Sequence, residues 1–337
     1  MNWKKIIGSS VLSLALLAGC GTQEQESGQN ASEPTNEPPA EEKAAYKVGI
    51  TQIVEHPSLD SATEGFKKAL EDAGLTVEFD EQIAQGDQNN NQTIANNFVG
   101  NQVDLIFANS TPSAQSALNA TKDIPIIFTS VTDPVGASLV ESMDKPGANI
   151  TGTTDTHPDA IPNTVAFIDK YFEGNKVGMV FNAGEQNSVA QVDLVKQAME
   201  GTDLEVVEVS VSTSAEVKQA AESLVGSADV IYIITDNTVV SALESVVAVA
   251  TENDIPMFVG ELDSVERGGF AAYGFDYYDI GYEAGVMGAQ ILKGEKTAAD
   301  LPVQYPQNLK LVINKAQAAE MGIEMNSEWE SIAEFIE

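Results

Sequence analysis

The residues with usable chemistry stand in short polar turns, each at the end of an apolar run. Leu105–Ala108 runs into Asn109-Ser110-Thr111 and then Pro112, and Ile124–Phe128 runs into Thr129-Ser130-Val131-Thr132-Asp133 and then Pro134. Proline just inside a helix start, preceded by a residue able to cap, marks that start, because its missing N–H would have had no partner. Ser188 and Thr235-Asp236-Asn237-Thr238 stand in similar turns further on, and Glu185, Asn187 and Glu261 stand beside such turns. Hydroxyls, amides and acids of this kind hold a small polar ligand by hydrogen bonds. The catalytic signatures are missing: there is no G-x-S-x-G elbow, no phosphate-cradling G-x-x-x-x-G-K-[ST] and no G-x-G-x-x-G after the first strand. An enzyme is therefore not expected, and neither is a cofactor. With His56 and His157 as the only histidines and Cys20 as the only cysteine, no metal centre is expected either.

The elements that must position these turns alternate between strand and helix. Tyr46–Thr51, a helix near Ser61–Ala73, Val77–Ile83, a helix over Thr93–Gly100, the two units above and Asn149–Thr154 form one series. A second series begins at Val165 and includes strands at Lys176–Phe181, Leu204–Val211, Val230–Ile234 and Pro256–Val259. Such alternation predicts an α/β protein with two doubly wound parallel-sheet lobes, and open sheets of this type bind ligands at their strands' C-terminal ends. The first lobe is read as residues 46–154 plus 275–303, and the second as 160–270 plus 309–337. Three crossovers join them, near 155–159, 271–274 and 304–308. Tyr277–Leu292 is read as a helix whose Gly281, Gly285 and Gly288 pack closely against a sheet.

Composition narrows the partners. The chain has 337 residues, 43% of them hydrophobic, and a formal net charge of -34, which would repel nucleic acid. Residues 1–19 read as a signal peptide, with Lys4-Lys5 before an apolar run too short to span a bilayer comfortably. Leu17-Ala18-Gly19-Cys20 closely resembles the lipobox of bacterial lipoproteins, whose cysteine is lipidated and becomes the mature N-terminus. Residues 20–45 are then the lipidated cysteine and a disordered tether, rich in Gln, Glu, Ser, Asn and Pro, with a span on the order of 25–30 Å. Secretion across the cytoplasmic membrane and lipid anchoring on its outer face follow.

Two lobes behind a lipobox and tether resemble the substrate-binding lipoprotein of an ABC importer, with the type I periplasmic-binding-protein fold. Val48-Gly49-Ile50-Thr51-Gln52-Ile53-Val54-Glu55-His56-Pro57-Ser58-Leu59-Asp60, the Phe128–Val140 stretch and Gly274-Phe275-Asp276-Tyr277-Tyr278-Asp279-Ile280-Gly281 are similar to the TrpX-like branch. The resemblance covers residues 46–325. It implies capture of an aromatic amino acid by lobe closure, delivery to an ABC permease and its ATPase, and a monomer. A ligand-sensing receptor module, or a binder of sugar, nucleoside or peptide, is the alternative.

For an amino-acid ligand, the carboxylate suits Ser110, Thr111, Thr129, Ser130 and Ser188 at helix starts. The ammonium needs an acid, with Asp236 first and Asp133, Glu185 and Glu261 after it; Asp133 also suits a simple cap. Asn187, Thr235 and Asn237 complete that edge. His56 and Tyr273, with Phe275 and Leu59 behind them, are the expected walls for an aromatic side chain.

Overall fold

Strands of five to seven residues separated by helices build a first sheet in the computed structural model, which describes residues 45–147 and 149–337. The readings on residues 1–19 and on the lipobox cysteine, Cys20, lie outside the described residues, as does all of the tether but Ala45. In chain order the elements are β1 (Tyr46–Gln52), α1 (Pro57–Asp72), β2 (Val77–Ile83), α2 (Gln88–Gly100), β3 (Leu105–Asn109), α3 (Thr111–Ala120), β4 (Ile126–Val131) and β5 (Ile150–Thr154). The five strands pair in the order β2-β1-β3-β4-β5, all parallel. Every residue of β3, β4 and β5 is buried, as expected for strands covered on both faces.

The chain then leaves this sheet for α4 (Ala160–Tyr171), β6 (Lys176–Asn182), α5 (Gln186–Ala198), β7 (Glu205–Val211), α6 (Val217–Leu224), β8 (Val230–Ile233), α7 (Asn237–Val240), α8 (Leu243–Glu252), β9 (Met257–Val259), α9 (Leu262–Glu266) and β10 (Ala271–Gly274). It returns as α10 (Tyr277–Leu292), which packs on α1, β4 and β5. It ends as β11 (Lys310–Asn314), α11 (Lys315–Glu320) and β12 (Ala333–Ile336). The second sheet runs β12-β11-β10-β9-β8-β6-β7. Its β10–β11 pair is antiparallel, so this sheet is parallel-dominated rather than wholly parallel.

Gly281 and Gly285 of α10 meet α1 rather than the sheet the sequence suggests, while Gly288 faces Phe66 of α1 and Leu105 of β3. A Cβ on Gly281 would overlap the backbone of Ala62 in α1, and one on Gly65 in α1 would overlap the Tyr278 carbonyl. Backbone meets backbone, and the two helices lie closer than side chains would permit. Beneath them Phe66 stacks on Phe107 at 3.9 Å. The second core holds an aromatic cluster of Phe167, Phe172, Phe258, Phe270 and Trp329. Of the two proline turns, Pro112 opens a ten-residue helix, whereas Pro134 opens only a single turn. That turn ends at Ser138, whose φ of 59° lies outside the helical region.

Candidate functional site

Register places three strand ends side by side. Gln52 of β1 pairs with Asn109 of β3, and Asn109 pairs with Thr129 of β4. Immediately beyond, two serines adopt backbone conformations that favour glycine: Ser110 with φ 89° and ψ 162°, and Ser130 with φ 54°. Such conformations cost on the order of 1–3 kcal/mol each and persist where surrounding structure imposes them. Ser130 sits where the β4–β5 register shifts, between Phe128 and Val131. Ser110 caps nothing with its side chain, although it stands at the N-cap of α3. The hydroxyls of Ser110, Thr111, Ser130 and Thr154 are all buried without a hydrogen-bond partner. A buried polar group left unpaired costs about 1–3 kcal/mol, so these four hydroxyls form an edge chemically able to hydrogen-bond a polar ligand.

Other predicted residues on this side are already engaged. Thr129 bonds Thr153 at 2.8 Å, and Thr153 in turn donates to the Ile280 carbonyl, which ties β4 and β5 to α10. Asp133 accepts from the Gly136 N–H at 2.8 Å and is a cap. Leu59 is buried in the core, and its carbonyl accepts from Asn109 at 2.7 Å.

The facing edge, from β6 and β8, is acidic. Asp236 is fully buried and accepts from the Asn182 N–H at 2.6 Å, the Ser188 hydroxyl at 2.6 Å and the Val239 N–H at 2.8 Å, the last as N-cap of α7. Glu185 accepts from Thr238 at 2.8 Å, from Asn237 and, at 3.4 Å, from Asn187, whose own Oδ1 has no partner. Among the described residues no lysine or arginine pairs with either acid. Burial, and then the neighbouring Glu185, raise the Asp236 pKa to about 7. Two acids in one buried patch call for a cation.

The edges touch. Gln191 of α5 donates to Thr132 beyond β4 at 3.1 Å and to Thr235 at 2.6 Å. Thr132 donates to Asp155 at 3.0 Å, and the Tyr277 hydroxyl donates to the other oxygen of Asp155 at 3.0 Å. Burial raises the Asp155 pKa to about 6. Ser58, in the first turn of α1, donates to the buried Glu261, whose pKa is raised by burial and then by Asp263. On one side the seam opens into a groove of about 850 Å³ bordered by Asp133, Val135, Thr154, Gln186, Val189 and Tyr305. On another a cavity of about 120 Å³ reaches Val54, Gln85, Glu185 and Asn237.

The structure thus gathers Ser110, Thr111 and Ser130 on one edge and Glu185, Asn187, Ser188, Thr235, Asp236 and Asn237 on the other. His56 and Glu261 lie on the seam through the first turn of α1. Tyr273 does not join them: its ring packs edge-on against Phe167 at 6.2 Å, in the second core. Thr132, Thr154, Asp155, Gln191 and Tyr277 are participants that the sequence reading leaves out. Asp155 was accessible to the same strand-end rule, since it directly follows β5. No group of three or more His, Cys, Asp or Glu able to hold a metal occurs among the described residues.

Comparison with known proteins adds three relatives and a family. A family model described as ABC transporter substrate binding protein matches residues 47–334. A tyrosine-binding protein of Clostridioides difficile (strain R20291) is 44% identical over 320 residues, spanning 93% of this chain and 90% of that one. The crystal structure of an ABC domain in complex with L-Trp from Streptococcus pneumonia is 33% identical, with a TM-score of 0.82 over 87% of this chain and all of that one. The ligand-free, open structure of a substrate-binding protein with adhesive properties from Clostridium difficile is 40% identical, with a TM-score of 0.64 over 87% of this chain and 99% of that one. The geometry follows the ligand-bound relative more closely than the open one, although its identity to the open one is higher. Gln191 and Ser58 bridge the seam by hydrogen bonds to Thr132 and Glu261.

Proposed function

The chain belongs to the ABC transporter substrate-binding proteins and has the type I periplasmic-binding-protein fold, and from that premise we propose that it captures an aromatic amino acid for import. The complementarity of the two edges supports this reading. Ser110 and Thr111 offer unpaired hydroxyls at the start of α3, where a carboxylate is favoured by the helix dipole, and Ser130 offers another at the end of the neighbouring β4. Glu185 and Asp236 offer buried acids without a cation, where an ammonium is favoured. An α-amino acid supplies both charges from one carbon. The binding preferences stated for the tyrosine-binding and L-Trp-bound relatives support an aromatic side chain.

Binding draws residues 46–154 plus 275–303 against residues 160–270 plus 309–337, with 271–274 as strand β10 of the second sheet, around the crossing that follows β10 and those near 155–159 and 304–308. Ligand favours the closed arrangement because only there are both edges in reach. The closed protein then docks on its permease. Lipid on Cys20 holds it outside the cytoplasmic membrane, at the end of a tether. Among the described residues no helix is long and apolar enough to cross a membrane.

The direct test is calorimetric titration with tyrosine, tryptophan and phenylalanine, alongside 3-phenylpropionate, which lacks the ammonium. Saturable binding of an amino acid with none of the phenylpropionate is expected. No heat with any natural amino acid overturns the ligand assignment. For the anchor, a Cys20→Ser chain should lose incorporation of labelled fatty acid and leave the membrane fraction.

A further inference from the structure

His56 is the N-cap of α1, in the turn that leaves β1, and is only 6% exposed. It makes no capping bond with its side chain, and its Nδ1 atom is buried without a partner. Two residues on, Ser58 bonds Glu261 across the seam, so this turn lies where the two edges meet. Burial and the positive charge of Arg267 hold the His56 pKa down at about 3, which leaves the ring uncharged in neutral solution. Arg267 itself pairs with Glu244 through two nitrogens, while its Nη1 is buried without a partner. An uncharged imidazole does not neutralise a carboxylate. It offers one donor nitrogen and one acceptor nitrogen in fixed directions.

The hydroxyl edge and the acidic edge already answer the two charges of an amino acid. An unpaired, uncharged ring nitrogen on the seam can take a hydrogen bond from a group on the ligand's side chain. We propose that His56 is a specificity-determining residue whose Nδ1 accepts a hydrogen bond from the polar group on an aromatic side chain, the phenol O–H of tyrosine or the indole N–H of tryptophan. This rests on the amino-acid reading above and deepens it. Phenylalanine has no such group and leaves Nδ1 unpaired, which a buried site penalises strongly. His56 therefore separates aromatic side chains by whether they carry a donor, a distinction that shape alone makes poorly.

The experiment compares affinities for tyrosine, tryptophan and phenylalanine in the full chain and in His56→Phe, by calorimetry. The wild type should prefer a donor-bearing ligand to phenylalanine by about tenfold or more. His56→Phe should weaken that ligand about 10- to 100-fold and leave phenylalanine unchanged or improved. His56→Asn keeps a good capping residue and withdraws the ring, so it carries the same comparison if His56→Phe fails to fold. Equal losses for all three ligands, or a wild type that does not distinguish phenylalanine, overturn the proposal while the amino-acid reading stands. Absence of binding by all three overturns both.

Discussion

The two edges that meet at the seam solve opposite problems. The first, around Ser110, Thr111 and Ser130, carries no charge of its own; it holds two serines in glycine-like backbone and leaves their hydroxyls unpaired. The second, around Glu185 and Asp236, is saturated with donors from Asn182, Ser188, Asn237, Thr238 and Val239, and what it lacks is a positive charge. One edge stores backbone strain and missing hydrogen bonds, the other stores charge. On the proposed function, a zwitterion would relieve both deficits at once and so couple occupancy to closure. Breaking either edge alone should therefore give different signatures.

The largest effect is expected on the acidic edge. Removing one member of a buried, hydrogen-bonded charge arrangement costs about 2–5 kcal/mol, so Glu185→Gln should weaken the amino acid about 100-fold or more. Asp236→Asn should do the same and also lower the melting temperature, because this residue caps α7 and ties it to β6. Calorimetry and thermal unfolding side by side separate these losses; a Glu185→Gln protein that binds normally would exclude an ammonium at this edge.

A second effect of similar size belongs to pH. Asp155, buried between Thr132 and Tyr277, has its pKa raised from an ordinary 3.8 to about 6. The folded state thus holds this proton more tightly than the unfolded chain. Its contribution is fully present below about pH 4 and is lost as pH rises through about 6. The difference amounts to about 3 kcal/mol across that window. Asp155→Asn should remove this fall, so the melting temperature of the variant should exceed that of the wild type more at pH 7 than at pH 4. An equal gap at both pH values would remove Asp155 as the cause.

How much of this was legible in the sequence follows from what local sequence encodes. Strand ends, caps and Pro112 are short-range signals, and they located Ser110, Ser130, Glu185 and Asp236 because parallel strands deliver such turns to one edge. Pairings across the seam have no local trace: Ser58 and Glu261 are 203 residues apart, and Gln191 meets Thr132 from the face of a helix. Tyr273 fails for a different reason. In a strand, neighbouring side chains point to opposite faces, and closeness to a crossing does not say which face a residue takes. The burial pattern of β10 puts its ring beside Phe167 instead. The glycines of α10 showed that something approaches closely but not that it is α1.

The smallest effect is also the sharpest contrast, because it lies within one strand. Thr129 and Ser130 are adjacent in β4 and both buried, yet the Thr129 hydroxyl bonds Thr153 and the Ser130 hydroxyl bonds nothing. Thr129→Ala removes a satisfied hydrogen bond and leaves the Thr153 hydroxyl without one of its partners. It should lower stability by about 1 kcal/mol and leave affinity nearly unchanged. Ser130→Ala removes an unpaired hydroxyl, so the free protein should be no less stable, while the ligand carboxylate loses a donor and affinity falls about tenfold. Ser130→Gly should lose the same affinity and gain stability, because glycine accepts a φ of 54° without strain. Urea unfolding of the ligand-free proteins, set against calorimetric affinities, gives the two readouts, and a Ser130→Ala protein that loses stability but keeps its affinity would make this hydroxyl part of the scaffold rather than of the site.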